Sequence, residues 1–418
     1  MRKIPKEPKR LNLLFILILI GIFILLRSLN FIESLNFSHD QGDFSYKVLD
    51  LVREKKITLI GPSISLKFEG REIFLSSASY YLHLLFLTLG NFDPIRASYL
   101  FMIFCAVAIF PLYYGVKFLA GKSTAQFMSI AYCLLPVFVD YTRFLWNPNY
   151  QLSLVPILIF LMGIYNLKQT KFYFFLISLF TGFLLQFHYQ FVMIIMALFF
   201  YYFFMLKLKR SFFLLFITGL SLGFSPSIIF ELRHNFYNTQ TLFLYFKNYN
   251  NFSSGISFAN THYYLSILFF LLMTISLSMK KFINRNFNIF SFALLFFISL
   301  ALYIPKPDSG FKMAKNWNYL DEVKVYKIVR EENLVDFNIA NLAYDTQAWV
   351  QKYLLKRDKI NIDYFNYYDN RYLFIISHDN DYLVESAYEV SSFKPSTLIK
   401  QWTINDRYNL FLLEKKVT

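Results

Sequence analysis

Cysteine is scarce in this sequence, with only Cys105 and Cys133 among 418 residues. Both lie inside apolar blocks, which excludes a disulfide framework and a cysteine-based metal site and favours a role in packing. Charge is scarce as well, because Asp, Glu, Lys and Arg make up 17% of the chain and hydrophobic residues 56%. A water-soluble globular protein could not bury that much apolar surface, so a bilayer must be one of its solvents.

Acidic residues are fewer than basic ones, and the net charge is +15. Such an excess is also typical of nucleic-acid-binding proteins, which present it as a basic patch. Here the Lys and Arg residues lie mostly in short clusters between apolar blocks, where membrane orientation and anionic lipid explain them. The distribution therefore favours contact with membrane lipids and not with nucleic acid.

Long apolar blocks recur through the first three quarters of the chain. About twenty residues are needed to cross roughly 30 Å of hydrocarbon, and nine blocks approach that length. They are Leu11–Ser28, 97–119, 124–141, 150–167, 172–188, 189–206, 212–230, 263–279 and 287–304. A shorter block, 80–90, is expected to be an interfacial or half-inserted helix. The pattern predicts a polytopic α-helical membrane protein.

Basic clusters orient these segments. The N-terminal "MRKIPKEPKR" favours a cytoplasmic N-terminus, and no small-residue cleavage pattern follows the first block, which predicts an uncleaved anchor. A single topology places four basic clusters on the cytoplasmic side: 117–122, 168–171, 207–210 and 280–285. The same topology places the polar loop 30–78 and the stretches "TRFLWNPNY", "QFHYQ" and "FELRHNF" on the outer side. Residues 172–206 lack a central Gly or Pro; as one long helix they would invert this topology locally.

From residue 305 onward the composition becomes polar, and no block is long enough to cross a membrane. Alternating apolar patterns in "FNIANLAYD", "RYLFIIS" and "YNLFLLEKK" predict strands, and "TQAWVQKYLLKRD" predicts a helix opened by Asp345 or Thr346. We therefore expect a transmembrane domain over 1–304 and an extracytoplasmic α/β domain over 305–418. Asp345, Trp349 and His378 are interpreted as fold residues.

Two aspartates, Asp40 and Asp43, follow the first apolar block in "NFSHDQGDFSYKVLDLVREKK". One interpretation is structural, with "SHD" capping an amphipathic helix. The other is functional, because a carboxylate at the membrane surface beside basic groups stays ionised and can accept a proton from a hydroxyl or amine. A third possibility is a divalent cation held by His39, Asp40 and Asp43, a set that lacks a fourth ligand.

Several stretches resemble bacterial family 39 glycosyltransferases of the GT-C superfamily, relatives of protein O-mannosyltransferases and of the aminoarabinose transferase that modifies lipid A. The resemblance is carried by "HDQGDFSYKVLDLVREKKITLIGPSIS", "SYYLHLLFLTLGNFDPIRAS", "RFLWNPNYQLSL", "GFLLQFHYQF" and "GFSPSIIFELRHNF", and spans about residues 1 to 300 in order and spacing. It implies a GT-C-like membrane enzyme that transfers a sugar from a polyprenyl-phosphate donor to a lipid, glycan or protein acceptor on the outer face of the cell membrane.

The resemblance also implies site residues. The family's first-loop acid is the catalytic base or lies beside it, which corresponds to Asp40, with Asp43 as second candidate. Its second acid precedes the second hydrophobic helix and corresponds to Glu72, although this chain has "REIFLSSASYY" where the family has "HGPLYY" or "KPPLYY".

The departing lipid phosphate requires cations and polar donors at the outer interface. Candidate phosphate or substrate contacts lie in the outer loops: Arg143, Trp146, Asn147, Gln186, His188, Arg233 and His234. Each also has an ordinary explanation. Arginines at helix ends extend toward water, Trp146 is a typical interfacial aromatic, Asn147 can start a helix, and an intramembrane His can hydrogen-bond a neighbouring helix.

Two other classes of function remain open. A transporter or lipid flippase also needs many helices, but it predicts internal repeats and Gly- or Pro-broken helices that place charges near the membrane centre. A noncatalytic membrane assembly protein would use its outer domain as the working part. Neither repeats nor such broken helices are evident in the sequence, which favours the enzyme.

Overall fold

The structure, a computed structural model, describes residues 9–248, 261–360, 362, 366–367, 369–378 and 387–416. Most of the basic N-terminal segment therefore lies outside the described residues. The helices of the described part are α1 (Lys9–Ser28), α2 (His39–Arg53), α3 (Ala78–Leu89), α4 (Pro94–Val107), α5 (Ile109–Ala120), α6 (Lys122–Leu134), α7 (Pro136–Tyr141), α8 (Asn147–Lys168), α9 (Lys171–Leu185), α10 (Phe191–Phe200), α11 (Arg210–Gly223), α12 (Ser225–Arg233), α13 (Tyr237–Lys247), α14 (Leu265–Ser278), α15 (Arg285–Tyr303), α16 (Tyr319–Glu331), α17 (Trp349–Arg357) and α18 (Tyr388–Ser391). The strands are β1 (Ile60–Phe68), β2 (Arg71–Ser76), β3 (Phe337–Asn341), β4 (Tyr372–His378), β5 (Ser396–Thr403) and β6 (Tyr408–Lys415).

Four helical segments in the described part of the chain are long and apolar enough to cross a membrane: Leu11–Ser28, Pro94–Ala120, Asn147–Lys168 and Arg285–Tyr303. A fifth results if α11 and α12, which meet at 72°, form one bent span. Shorter apolar helices are Ala78–Leu89, Lys171–Leu185, Phe191–Met205 and His262–Ser278. The helical class with apolar spans agrees with the sequence, but by length the spans number four or five and not nine.

Breaks in the helices account for much of the difference between the nine predicted spans and the four or five in the structure. Leu135 is extended between α6 and α7, as expected for a residue that precedes a proline, and Pro136 opens α7. Residues 172–206 are also divided, because α9 ends at Leu185 and α10 begins at Phe191. The alternative of one long helix over this stretch is therefore wrong.

The chain forms two compact units. The first comprises Met1–Leu29, Ile57–Phe86 and Ser98–Tyr303. Its helices α9 and α11 pack at glycine contacts: a Cβ on Gly182 would lie 2.2 Å from the Leu220 carbonyl oxygen. Such close approach of small residues is typical of helix packing in membranes.

A β-hairpin, β1–β2, precedes α3 in the first unit. Its turn is Glu69–Gly70, where φ is 47° and 77°, the two left-handed residues of a type I′ turn. A turn at Gly61–Pro62, which the Gly-Pro pair suggests, is wrong because β1 continues through both residues. Gly61 is required there for close packing, since a Cβ would lie 2.3 Å from the Ser76 carbonyl oxygen.

The second unit comprises Asn30–Lys56, Leu87–Ala97 and Ile304–Thr418. It contains the predicted C-terminal strands and helix in a four-stranded sheet of order β3-β4-β6-β5, with β3 parallel to β4 and the other pairs antiparallel. Its core cluster is Ala340, Tyr367, Leu373, Ile375, Val390, Phe393, Phe411 and Leu413. Residues 30–56 belong to this unit, although the sequence placed them in a loop of the transmembrane domain.

Helix α2 is built into the second unit by close packing against α17. A Cβ on Gly42 would lie 2.7 Å from the backbone nitrogen of Val350, so only glycine fits at this contact. At the other end of α2, Asp50 forms an ion pair with Lys356, and Arg53 Nη2 donates to the Lys356 carbonyl at 2.6 Å. The segment that carries Asp40 and Asp43 is thus a packed helix.

Candidate functional site

The predicted site residues are divided between the two units. Asp40 and Asp43 lie in the second unit. The first unit holds Glu72, Arg143, Trp146, Asn147, Gln186, His188, Arg233 and His234.

The sequence "SHDQ" begins α2 as a capping box. Ser38 is the N-cap, and its backbone N–H donates to the Gln41 side-chain oxygen at 3.2 Å. This confirms the helix that the structural interpretation of the motif predicts. Asp40 lies in the first turn of the helix, where the helix dipole stabilises negative charge, and Asp43 lies in the second turn.

Asp43 is largely buried, with 13% of its side chain exposed. Its Oδ2 accepts from Lys47 Nζ at 2.7 Å, and its Oδ1 is buried without a hydrogen-bond partner among the described residues. Burial raises the pKa of Asp43, and the Lys47 charge opposes that shift. Lys47 therefore neutralises Asp43. Asp40, the first candidate for the base from the resemblance, is partly buried on the same helix.

His39 forms the most specific polar contact of this turn. Its Nδ1 lies 2.7 Å from Oδ1 of Asp345, whose side chain is 2% exposed while that of His39 is 49% exposed. The second carboxylate oxygen of Asp345 accepts from the Trp349 backbone N–H at 2.9 Å and so caps α17. The sequence predicts that Asp345 or Thr346 opens this helix, but the helix begins at Trp349 after the N-cap Ala348. The pairing of Asp345 with His39 spans 306 positions and leaves no local signal.

A divalent cation at His39, Asp40 and Asp43 was one expectation. Within the part of the chain that the structure describes, no group of three or more His, Cys, Asp or Glu side chains is arranged to hold a metal ion. His39 is paired with Asp345 and Asp43 with Lys47. These three residues therefore do not form a metal centre in this arrangement, and metal dependence stays a prediction.

In the first unit, Arg143 caps the end of α1. Its side chain is buried, and Nη2 donates to the carbonyl oxygens of Leu26 at 3.1 Å and Leu29 at 2.7 Å. The guanidinium also lies 4.9 Å from the ring centroid of Tyr303. These contacts satisfy carbonyls that α1 leaves without helical partners, which is a structural role for a residue predicted to bind phosphate.

Arg27, a residue that the sequence analysis missed, is fully buried at the same end of α1. Its donors reach Thr142 Oγ1 at 2.6 Å and the carbonyl oxygen of Cys133 at 2.9 Å, and its guanidinium lies 3.3 Å from the Phe23 ring centroid. The available signal was an arginine at the end of an apolar block, where a charge is costly unless it is hydrogen-bonded.

Gln186 joins three elements of the first unit. Its Oε1 accepts from Ser76 Oγ at the end of β2 at 2.8 Å, and its Nε2 donates to the Gly223 carbonyl at the end of α11 at 2.6 Å. The side chain is 4% exposed. These contacts give Gln186 a structural role at the helix ends, and substrate binding by this residue stays a prediction.

An aromatic and imidazole cluster surrounds His188. Its ring centroid is 6.2 Å from that of His262 and 5.6 Å from that of Tyr263, and the His262 ring is 4.6 Å from Trp146. Asn147 opens α8, as its structural interpretation predicts, and donates from Nδ2 to the Phe187 carbonyl at 3.1 Å. The structure thus brings four of the predicted residues, Trp146, Asn147, Gln186 and His188, to neighbouring helix ends.

The remaining candidates lie on other elements. Glu72 is partly exposed on β2, paired in register with the backbone of Lys67. Arg233 ends α12 and is exposed. His234 is also exposed; its Nδ1 lies 2.9 Å from the Phe230 carbonyl, and its ring stacks on that of Phe230 at 4.3 Å. Unlike Arg143, Arg233 is accessible to an anion at the surface of its unit.

Comparisons with known proteins identify no family. No protein-family model matches the chain, and no curated protein matches it. The glycosyltransferase assignment therefore remains a proposal that rests on the short sequence motifs and on the chemistry of the residues described above.

Proposed function

We propose that the protein is an integral membrane glycosyltransferase that moves a sugar from a polyprenyl-phosphate donor to an acceptor at the outer face of the cell membrane. One observation carries the proposal: the helix that bears Asp40 and Asp43 begins at His39, shortly after a membrane-length apolar helix ends at Ser28. The apolar helices supply a surface for the prenyl chain. The acidic turn supplies a base to the acceptor.

The proposed reaction inverts the anomeric centre. Asp40 accepts the proton of the acceptor hydroxyl or amine, the acceptor attacks the anomeric carbon, and the polyprenyl phosphate leaves with the bonding electron pair. Asp43, on the same helix as Asp40, orients the acceptor or a cation. Arg233 and His234, which are exposed on the first unit, stay the phosphate ligands that the sequence proposes, while the Arg143 guanidinium already binds carbonyl groups.

The test is sugar transfer by the full-length protein in proteoliposomes, with a panel of labelled polyprenyl-phosphate hexoses and pentoses as donors. Asp40→Asn should lower kcat by about 10²- to 10⁴-fold, the usual loss for a general base. Asp43→Asn should have a smaller effect, since Lys47 already neutralises that carboxylate. Asp308→Asn, which removes an exposed acid of the second unit, is the matched control. Unchanged transfer in both Asp40→Asn and Asp43→Asn would overturn the mechanism.

A transporter or lipid flippase is the second candidate, and one observation favours it. The 72° bend between α11 and α12 falls between Gly223 and Pro226, the kind of broken helix that transporters use. The charged residues of α11 and α12, Arg210, Glu231 and Arg233, lie at the ends of the bent segment and not at its break. If the native protein transferred no sugar from any donor but moved fluorescent polyprenyl lipid across vesicles, the transporter would replace the enzyme.

A further inference from the structure

The pair formed by His39 and Asp345 has the geometry of an oriented acid–base group. A carboxylate can only accept hydrogen bonds, so the 2.7 Å contact places a proton on Nδ1 of His39. Asp345 is itself fixed through the Trp349 N–H and through burial. Asp345 thus holds the half-exposed ring through Nδ1 and leaves Nε2 as the nitrogen that can act on a ligand, as in catalytic histidines oriented by a carboxylate.

The groups that face His39 favour its charged form. Asp345 approaches from the segment before α17, Asp40 and Asp43 lie on α2 itself, and the Trp349 ring packs edge-on with centroids 6.5 Å apart. Partial burial lowers the pKa of His39, but the hydrogen bond to Asp345 and the three carboxylate charges outweigh burial and raise it. The imidazolium form that these groups favour can donate a proton from Nε2.

Transfer from a polyprenyl-phosphate sugar has a use for such a donor. The phosphodiester carries one negative charge, and loss of the sugar develops a second on the departing oxygen. The second pKa of a phosphate monoester is about 6, close to that of an imidazole. A histidine is thus matched to this proton transfer, since general acids work best when their pKa lies near the working pH.

We propose that His39, held by Asp345, donates the Nε2 proton to the phosphate oxygen that leaves the sugar. This inference rests on the proposed function and adds an acid beside its base, Asp40. The acceptor O–H proton moves to Asp40, the acceptor–carbon bond forms, and the carbon–oxygen bond to phosphate breaks with its electron pair on oxygen. That oxygen takes the proton of His39, and exchange with water restores both side chains.

The first experiment is the pH dependence of kcat for sugar transfer, with the proteoliposomes and donor panel described above. For the native protein kcat should fall at alkaline pH as His39 loses its proton. His39→Gln should lower kcat by about 10- to 100-fold and abolish this alkaline limb, because glutamine cannot donate a proton to the leaving group. His378→Gln, a change in the same unit, should keep the native profile.

The positioning role of Asp345 predicts a different change in the pH profile of kcat. Asp345→Asn removes the negative charge but keeps His39, so the alkaline limb should move to lower pH by about one unit. Asp345 also caps α17, and this variant could fold poorly; His39→Gln leaves that cap intact and tests the proposal without it. An alkaline limb that is the same in the native protein and His39→Gln would overturn the proposal.

A second measurement does not depend on turnover. The product, polyprenyl phosphate, can be added to protein labelled with ¹⁵N-histidine, whose His39 resonance is identified by its absence in His39→Gln. We expect polyprenyl phosphate to shift that resonance toward the imidazolium form. An unshifted His39 resonance at saturating polyprenyl phosphate would reject the contact. Absence of transfer by the native protein from every donor would instead reject the proposed function, so the two failures differ.

Discussion

At the residue scale, the two arginines assigned to phosphate differ most in their surroundings. Arg143 is buried against the end of α1, and Arg233 is exposed at the end of α12. A buried guanidinium that satisfies two carbonyls stabilises the fold, because its removal leaves those groups without a partner. An exposed guanidinium contributes little to stability and is available to a ligand.

Arg143→Ala should therefore lower the free energy of unfolding by about 2–4 kcal/mol, because the charged hydrogen bonds to the carbonyls of Leu26 and Leu29 are lost. Thermal melts of the detergent-solubilised protein measure this loss. Its folded fraction should keep the native KM for the sugar donor. Arg233→Ala should show the reverse, with unchanged melting and a raised donor KM. A donor KM raised by Arg143→Ala without any loss of stability would return Arg143 to the phosphate site.

Glu322 of the second unit is a fully buried carboxylate. Trp317 Nε1 donates to it at 2.6 Å, and Tyr344 and Gln351 are its other hydrogen-bond partners. Burial raises the pKa of Glu322 to about 8, against the opposing effect of the Tyr344 and Trp317 hydrogen bonds. The folded unit therefore holds a proton on this side chain that the unfolded chain releases near pH 4.5.

The buried Glu322 should make the stability of the folded protein depend on pH. Where the folded state binds more protons, stability falls with rising pH, so the contribution of Glu322 should decline between about pH 4.5 and 8. Glu322→Gln keeps the shape of the side chain without its charge and should flatten this decline. The measurement is the melting temperature followed by tryptophan fluorescence at pH 5 and pH 8.5. An equal decline in the native protein and the variant would contradict the assignment.

At the element scale, the contact between α2 and α17 depends on one glycine. A side chain at position 42 would meet the backbone of Trp349 and Val350, at 2.8 Å and 2.7 Å, which cannot move aside as a flexible side chain could. Gly42→Ala should separate the helices and destabilise the protein by a few kcal/mol, of the order seen for overpacked cores.

The matched control is Gly21→Ala in α1, where a Cβ would have nothing within 4 Å. That substitution should be neutral or slightly stabilising, since alanine favours helices by about 0.5–1 kcal/mol over glycine. Thermal melts of both variants, with transfer activity measured on the folded fraction, make the comparison. Equal stability of the two variants would show that α2 does not need its close contact.

The sequence predicted the elements that have a strong local pattern. The apolar blocks are helical, and β3, β4, β6 and α17 lie where their alternating or helical periodicity placed them. It missed α16 and the exposed edge strand β5, and it placed a turn at Gly61–Pro62 where tertiary packing holds a strand. The contacts of His39 with Asp345 and those of Arg27 and Arg143 could not be predicted from local patterns, because they join residues more than a hundred positions apart.

At the scale of the whole molecule, the proposed topology places the second unit outside the cell and the basic loops inside. The two native cysteines are buried, as their apolar surroundings predict, so the native protein offers a low background for thiol labelling. Val335 in the second unit is 84% exposed, and Gln169 lies in an exposed loop after α8. Single cysteines at these two positions can report the orientation.

In intact cells, Val335→Cys should react with a membrane-impermeant maleimide, while Gln169→Cys should react only after the membrane is permeabilised. As a control for folding, both variants should be as stable as the native protein. If only Gln169→Cys were labelled in intact cells, the orientation would be the reverse of the proposed one. The acidic turn of α2 would then lie on the cytoplasmic side, and sugar transfer at the outer face would be rejected.

The second unit is assembled from stretches of chain that are synthesised far apart in time. His39 leaves the ribosome 306 residues before Asp345, which is about 15–60 s at ordinary elongation rates. During that interval α2 has no α17 to pack against. A nascent chain, or one truncated before α17, therefore lacks the partner of His39 and leaves the Gly42 face of α2 uncovered. We expect proteases to cleave α2 more readily in such a chain than in the complete protein.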